Sequence, residues 1–289
     1  MAEIPFVDTH VHFSDLQDPN LYYAWLQPGW KHPILGDIEG IQAQRYWADE
    51  FVAETRFSNV TKSIHVQAAL GIKDPVEETK WLQAFADRLG HPHGIVAEVH
   101  LQQDDAQAVI ERHMAYPNVR GVRDFGPGDY LVDAQWRKGY AHLEAHDLVA
   151  CLDSSPQTYA DMRSLAEAFP NIVISLDHAG FPRQRDTAYF AMWKKELQNL
   201  AGAPNVTVKI SGLGMCDNHW TVESIRPWVM TCIETFGVER SFFGSNWPVD
   251  RLYSSYPDVL DAYAEIIKGF SRAEQEALFF ANAERIFRI

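Results

Sequence analysis

Apolar and β-branched residues along this chain gather into short runs that return at a regular interval. The first, Ile4-Pro5-Phe6-Val7, leads straight into Asp8-Thr9-His10-Val11-His12, and seven more follow at residues 60–69, 94–101, 119–123, 148–153, 172–178, 206–212 and 241–247. Amphipathic stretches that read as helices lie between and after them, at 75–89, 104–114, 133–145, 159–169, 190–200, 222–236 and 257–268. Short apolar runs alternating with helical patterns predict βα units and a parallel sheet. Eight such units in 289 residues favour an α/β fold closed into a (β/α)8 TIM barrel over an open doubly wound sheet. No G-x-G-x-x-G fingerprint follows the first strand, which weakens a dinucleotide-binding alternative. No linker or break in composition divides the chain, so one domain over residues 1–289 is expected.

Side chains alternate faces along a strand, so the parity of each run predicts which residues enter the barrel. By that rule Phe6, Asp8, His10 and His12 share a face, and two imidazoles two residues apart can converge on a metal ion or a polarised carbonyl oxygen. In the second strand Ser63, His65 and Gln67 oppose Ile64 and Val66. The fourth strand aligns Gly121 with Arg123, and the sixth aligns Ile172, Ile174, Leu176 and His178, which sends Asp177 outward. The seventh sets Thr207, Lys209 and Ser211 against Val206, Val208 and Ile210, and the eighth aligns Gly244, Asn246 and, past Pro248, Asp250. Barrel chemistry sits at the C-terminal ends of the strands. His10, His12, His65, His100, Arg123, His178, Asn246 and Asp250 all fall at or near such ends. A lysine on an inner face is costly unless paired. Lys209 is therefore expected to be a structural ion-pair partner, with Asp8 as the candidate anion, and a Schiff-base role is the alternative.

Composition narrows the partners. A formal charge of −14 argues against nucleic acid and anionic membrane, which call for a basic face. The three cysteines, Cys151, Cys216 and Cys232, form no zinc or redox spacing and suit a reducing compartment. With no leader before Ile4 and no apolar run of about 18 residues, a soluble, cytoplasmic protein is expected. The aromatic stretch Leu21-Tyr22-Tyr23-Ala24-Trp25-Leu26, followed by Pro28-Gly29-Trp30, reads as a lid or pocket wall, or else as the contact of a homodimer.

The segments VDTHVHF, YYAWL, GVRDF, LDHAGFP, VKISGL, FFGSNWPVDRLYSSY and NAERIF resemble, in order and over essentially the whole chain, the amidohydrolase superfamily. Within it they are most similar to the branch of 2-pyrone-4,6-dicarboxylate lactonase and the sugar-acid lactonases. The resemblance implies a (β/α)8 barrel and hydrolysis of a lactone or related carbonyl compound of an aromatic- or sugar-derived acid. It implies His10, His12 and His178 as catalytic residues and a polar residue at the end of the eighth strand. It further implies substrate contacts from Arg123 and His65; Gln67, Arg183, Trp25 and Trp247 complete the expected substrate-binding set. The substrate is then a small anion held by the Arg123 fork. The fifth strand lacks a histidine and no bridging residue appears on the fourth, so a binuclear metal site is not expected. The branch implies no required cofactor; one divalent ion such as zinc, on His10, His12 and His178, is the variant.

One position departs from the family pattern. Asn246 stands where an aspartate is usual, and a neutral amide cannot serve as a general base. Asp250, four residues on, is the candidate substitute, with His178 or Asp8 as alternatives. Two other functions stay open at this point: a metal-dependent decarboxylase or hydratase on the same barrel, and a catalytically retired barrel that binds a small molecule.

Overall fold

Eight short, mostly buried strands need both faces covered, and a ring of parallel strands inside a shell of helices provides that. In the computed structural model, which describes residues 4–32 and 34–289, the strands are β1 (Phe6–Val11), β2 (Val60–Val66), β3 (Gly94–Glu98), β4 (Val119–Arg123), β5 (Val149–Leu152), β6 (Ile174–Leu176), β7 (Val206–Ile210) and β8 (Ser241–Phe243). They pair in parallel in that order, as the spacing predicts. The ring comes round at a seam between β8 and β1: the His12 N–H donates to Trp247 O at 2.8 Å and Thr9 Oγ1 to Phe243 O at 2.7 Å. The shell comprises α1 (Ala48–Thr55), α2 (Val76–Leu89), α3 (Ala106–His113), α4 (Ala134–Ala141), α5 (Tyr159–Ala168), α6 (Thr187–Leu200), α7 (Val222–Phe236) and α8 (Tyr256–Ile266). Asp133, Asp186, Thr221 and Ser255 cap the N-termini of α4, α6, α7 and α8 by accepting backbone N–H bonds, which satisfies donors that have no partner inside the helix. Helix α1 has no counterpart among the helical stretches predicted from the sequence.

Three apolar layers follow from this arrangement. The largest lies between strands and helices and includes Val206, Val208 and Ile210 of β7 and Ile174 and Leu176 of β6. A smaller one, with Ile64, Val66, Val96, Val149, Cys151 and Phe242, fills the lower barrel, and Ile286 and Phe287 of the C-terminal helix join it. The third belongs to residues 16–44, which leave the barrel after β1 and return through a two-rung antiparallel ribbon pairing Ser14 with Tyr46 and Asp15 with Arg45. Leu21, Tyr23, Leu26, Leu35, Ile38 and Ile41 of this excursion pack on Ala68, Ala69, Met215 and Val249 from the loops above the strands. The aromatic stretch is thereby anchored over the barrel mouth as a wall. No helix among the described residues is long and apolar enough to cross a membrane.

Parity fails at β6, where Ile174 and Leu176 join the layer against the helices, and at two further strands. In β1 the pairing with β2 slips between Asp8 and Val11, and such an irregularity re-aims the residues on either side. Phe6 packs outward on Phe279, and Asp8 accepts from Ser245 N at 2.9 Å, Ser245 Oγ at 2.5 Å, Tyr256 Oη at 2.9 Å and the His10 backbone N–H at 3.3 Å, which directs it away from the imidazoles that follow. In β2 the apolar pair Ile64 and Val66 belongs to the lower-barrel layer, so His65 faces the shell instead.

Candidate active site

The cavity above the strands has a volume of about 510 Å³, and His12, Gln67, Arg123, Asp153, His178 and Asn246 are among its polar lining residues. His10 and His12 bring their Nε2 atoms within 3.1 Å of each other, and the His10 and His178 rings lie 4.4 Å apart between centroids. Three imidazoles from β1 and from the end of β6 therefore meet at one point. His178 arrives there by an unusual route. β6 stops at Leu176, and His178, Ala179, Gly180 and Phe181 all have positive φ, from 51° to 68°. Only glycine adopts that region without cost, so the turn is strained, and it swings the imidazole back over the ring of strands.

Gly212, after β7, makes room for that imidazole. A Cβ on it would lie 2.6 Å from His178 Nδ1 and 3.2 Å from Asn246 Nδ2, and its φ is +62°. Gly212→Ala is expected to keep the fold but displace His178, lowering kcat at least tenfold; unchanged steady-state kinetics in a folded variant would show that the close approach does not matter.

Buried polar groups dictate the protonation pattern. Val66 O can only accept, so the His12 Nδ1 at 2.8 Å must carry the proton and its Nε2 is bare. His178 Nδ1 lies 3.0 Å from Ser211 Oγ and its Nε2 lies 4.0 Å from Asp153 Oδ1. Burial lowers the pKa of all three histidines; the neighbouring His178 adds to this at His10, and Arg123 at His12. The imidazoles are therefore held neutral. Arg123 Nη2 meets Asp153 Oδ2 at 2.5 Å, while its Nε has no partner. Burial works against the Asp153 carboxylate, but Arg123 and His178 outweigh it and its pKa falls.

Asp177 turns inward, not outward. It pairs with Lys209 at 2.8 Å, both side chains fully buried, and its other oxygen lies 3.8 Å from His10 Nδ1. The partner of Lys209 is thus Asp177 and not Asp8. The ammonium also lies outside the cavity lining, which leaves no access for a Schiff base.

Other expected residues fall elsewhere. His65 is fully buried behind β2; its Nδ1 accepts from Phe13 N at 3.0 Å and its Nε2 faces Glu78 at 3.4 Å, so it does not reach the cavity. Trp247 packs edge-on to Tyr256 and donates Nε1 to Glu54 at 3.0 Å, again behind the strands. Asp250 accepts from Asn246 Nδ2 at 3.2 Å but sits beneath it among Leu213, Trp220, Val259 and Tyr263. Burial pushes its carboxyl up to about 8. Asp250 therefore holds Asn246 in place and does not meet the cavity as a base. Asp8, tied to Ser245 and Tyr256, is equally remote. His100 stands more than half exposed between Glu98 and Asp124. Trp25, Gln67 and Arg183 do line the cavity. Asp153, one residue past β5, was missed because no pattern separates it from the ordinary polar residue that ends a strand.

The set also bears on a metal. With His12 Nδ1–H fixed on Val66, either two lone pairs meet between the Nε2 atoms, or His10 Nδ1 and Asp177 Oδ2 face each other as two acceptors; neither of these two atoms has a hydrogen-bond partner. Two neutral imidazoles cannot close that row, and one added cation can. His10 and His12 therefore fit a cation between them. His178 does not join as a third ligand, since its nitrogens face Ser211 and Asp153, and no group of three or more His, Cys, Asp or Glu side chains suited to a metal occurs among the described residues.

Comparison with known proteins agrees with the fold. Residues 7–289 match the amidohydrolase family. An uncharacterized protein, y4mH, from Sinorhizobium fredii is 38% identical, with all of both chains covered. An L-fucono-1,5-lactonase from Burkholderia multivorans is 27% identical, covering 98% of this chain and 96% of its own. Among solved structures, an amidohydrolase from Burkholderia multivorans with bound zinc superposes with a TM-score of 0.84 at 25% identity, over 99% of each chain. The chain belongs to the amidohydrolase family, and is a hydrolase.

Proposed function

We propose that this hydrolase opens the ring of a lactone derived from an aromatic or sugar acid, by attack of water on the ring carbonyl. The observation that carries this is the convergence of three neutral imidazoles and the Arg123–Asp153 pair at the base of one cavity. The relative named L-fucono-1,5-lactonase supports a lactone as the reacting group.

His178 is the base. In the tautomer this role requires, Nδ1–H donates to Ser211 Oγ, and the bare Nε2 takes a proton from water as the oxygen attacks. Asp153, 4.0 Å away, stabilises the imidazolium so formed. The same proton then passes to the ring oxygen as the carbon–oxygen bond breaks, and a hydroxy acid leaves. Arg123 lines the cavity, where its guanidinium can donate to a carboxylate or to the developing oxyanion. Asn246, an amide in the family's aspartate position, orients substrate by hydrogen bonds and moves no proton. A divalent ion between His10 and His12, where bound, would polarise the carbonyl oxygen.

Incubation with a panel of sugar and aromatic-acid lactones, followed by the proton release of ring opening, tests the proposal; no turnover of any member would overturn it. Arg123→Ala is expected to raise KM about tenfold to a hundredfold for a lactone bearing a carboxylate, and much less for its neutral analogue. Equal effects would remove the carboxylate contact. Chelator treatment in the same assay reports the metal: loss restored by zinc in the wild type, and weakened restoration in His12→Ala, would support an ion held by His10 and His12. A retired binding barrel is the second reading, favoured by Asn246; it expects tight product binding without turnover.

A further inference from the structure

Apart from Arg183, whose guanidinium lies over the Phe181 ring at 5.1 Å, the cavity is polar chiefly at its base. Above His12, Arg123, Asp153 and His178 the lining becomes Trp25, Trp30, Ile34, Leu35, Phe125 and Phe181. A lactone whose ring carries several hydroxyls needs hydrogen-bond partners around its whole edge. Here the wall's polar atoms are largely engaged already. Trp25 Nε1 donates to Ala68 O at 2.8 Å, His32 Nδ1 accepts from the N–H groups of Ile34 and Leu35, and the Ser154 and Thr158 hydroxyls bond each other at 2.7 Å.

The rim adds an independent observation. Six large apolar side chains stand exposed among the described residues, and two of them, Trp30 at 39% and Phe125 at 49%, line this one cavity. They come from different parts of the chain, the excursion after β1 and the loop after β4. Exposed rings gathered at the mouth of a pocket mark a surface that a ligand covers. Each is also held in place: the Phe125 ring lies under Arg123 at 4.4 Å, and Trp30 packs edge-on to His32 at 5.3 Å.

We infer that the substrate carries a hydrophobic arm, aryl or straight alkyl, that lies between Trp30 and Phe125 while its carboxyl end rests at the polar base, and that polyhydroxylated sugar lactones are poor ligands. This rests on the lactone reading for the identity of the carboxyl end, but the arm is tested separately. A cavity of about 510 Å³ lies within the range of ~300–1,000 Å³ that encloses medium-sized organic ligands.

The test is calorimetric binding of ring-opened products to the intact protein: straight-chain 4-hydroxyalkanoates of increasing length and 4-hydroxy-4-phenylbutanoate, against gluconate. Burial of each added methylene is expected to tighten Kd about threefold to fourfold until the rim is passed, with gluconate weakest. Phe125→Ala and Trp30→Ala are expected to flatten that slope. A Kd independent of chain length, gluconate binding as tightly as the alkyl acids, or a slope unchanged in both variants would overturn the inference. If the long acids bind as described and the matching lactones are never opened, the arm stands and the lactonase reading fails.

Discussion

Replacing His178 by glutamine is expected to lower kcat by about 100- to 10,000-fold, the usual contribution of a positioned general base, with a much smaller change in KM. Glutamine keeps a hydrogen-bonding group near Ser211 but cannot carry the proton from water to the leaving oxygen. The pH profile makes the assignment specific. Burial holds the imidazole below its ordinary value of 6.5, so the wild-type enzyme should stay active down through neutrality and lose activity only as pH falls through that depressed value. In the glutamine variant the residual rate should lose this acid limb and rise instead with hydroxide. An intact acid limb at reduced rate would move the base to another group, and Asp153 is the one within reach.

The contribution of Asp153 and Asp177 explains how far the sequence could be read. β7 was legible in full, because three β-branched residues alternate with threonine, lysine and serine, and only one of those faces can meet a helix. β2 was not. Ile64 and Val66 are apolar like any shell-facing pair, yet the lower barrel also needs apolar filling, so the pattern alone could not tell inside from outside. His65 went to the wrong face for that reason.

Asp177 was placed outward for a different cause. β6 ends at Leu176, and the left-handed run after it turns Asp177 into the barrel while carrying His178 back over the mouth. Gly180 is the sole glycine in that run and gives little warning. The slip in β1 had the same effect on Asp8, which parity grouped with His10. Asn246 was recognised as a departure, but the position of Asp250 depends on the turn through Pro248, which spacing does not fix. The mouth of the barrel was thus legible as a cluster of residue types, whereas the partners beneath it required coordinates.

The second large effect concerns stability. Lys209 and Asp177 form an ion pair with both side chains fully buried. Cys151 Sγ, 3.9 Å from the ammonium, stays a neutral thiol because burial raises its pKa to about 12, so Asp177 supplies the charge that Lys209 needs. Taking two ions out of water is expensive, and the pair as a whole contributes little net stability, but removing one member leaves the other uncompensated. Asp177→Asn and Lys209→Met are each expected to lower unfolding free energy by about 3–5 kcal/mol, read from the midpoint of urea denaturation. The double variant Asp177→Leu with Lys209→Met, which buries no charge, should recover most of that loss. Its catalysis should not recover, because Asp177 also faces His10 Nδ1 across 3.8 Å and helps set the charge of the imidazole row. Single variants as stable as wild type would mean that water or a shifted proton already compensates the pair. A double variant restored in both stability and rate would confine Asp177 to holding Lys209 and leave His10 independent of it.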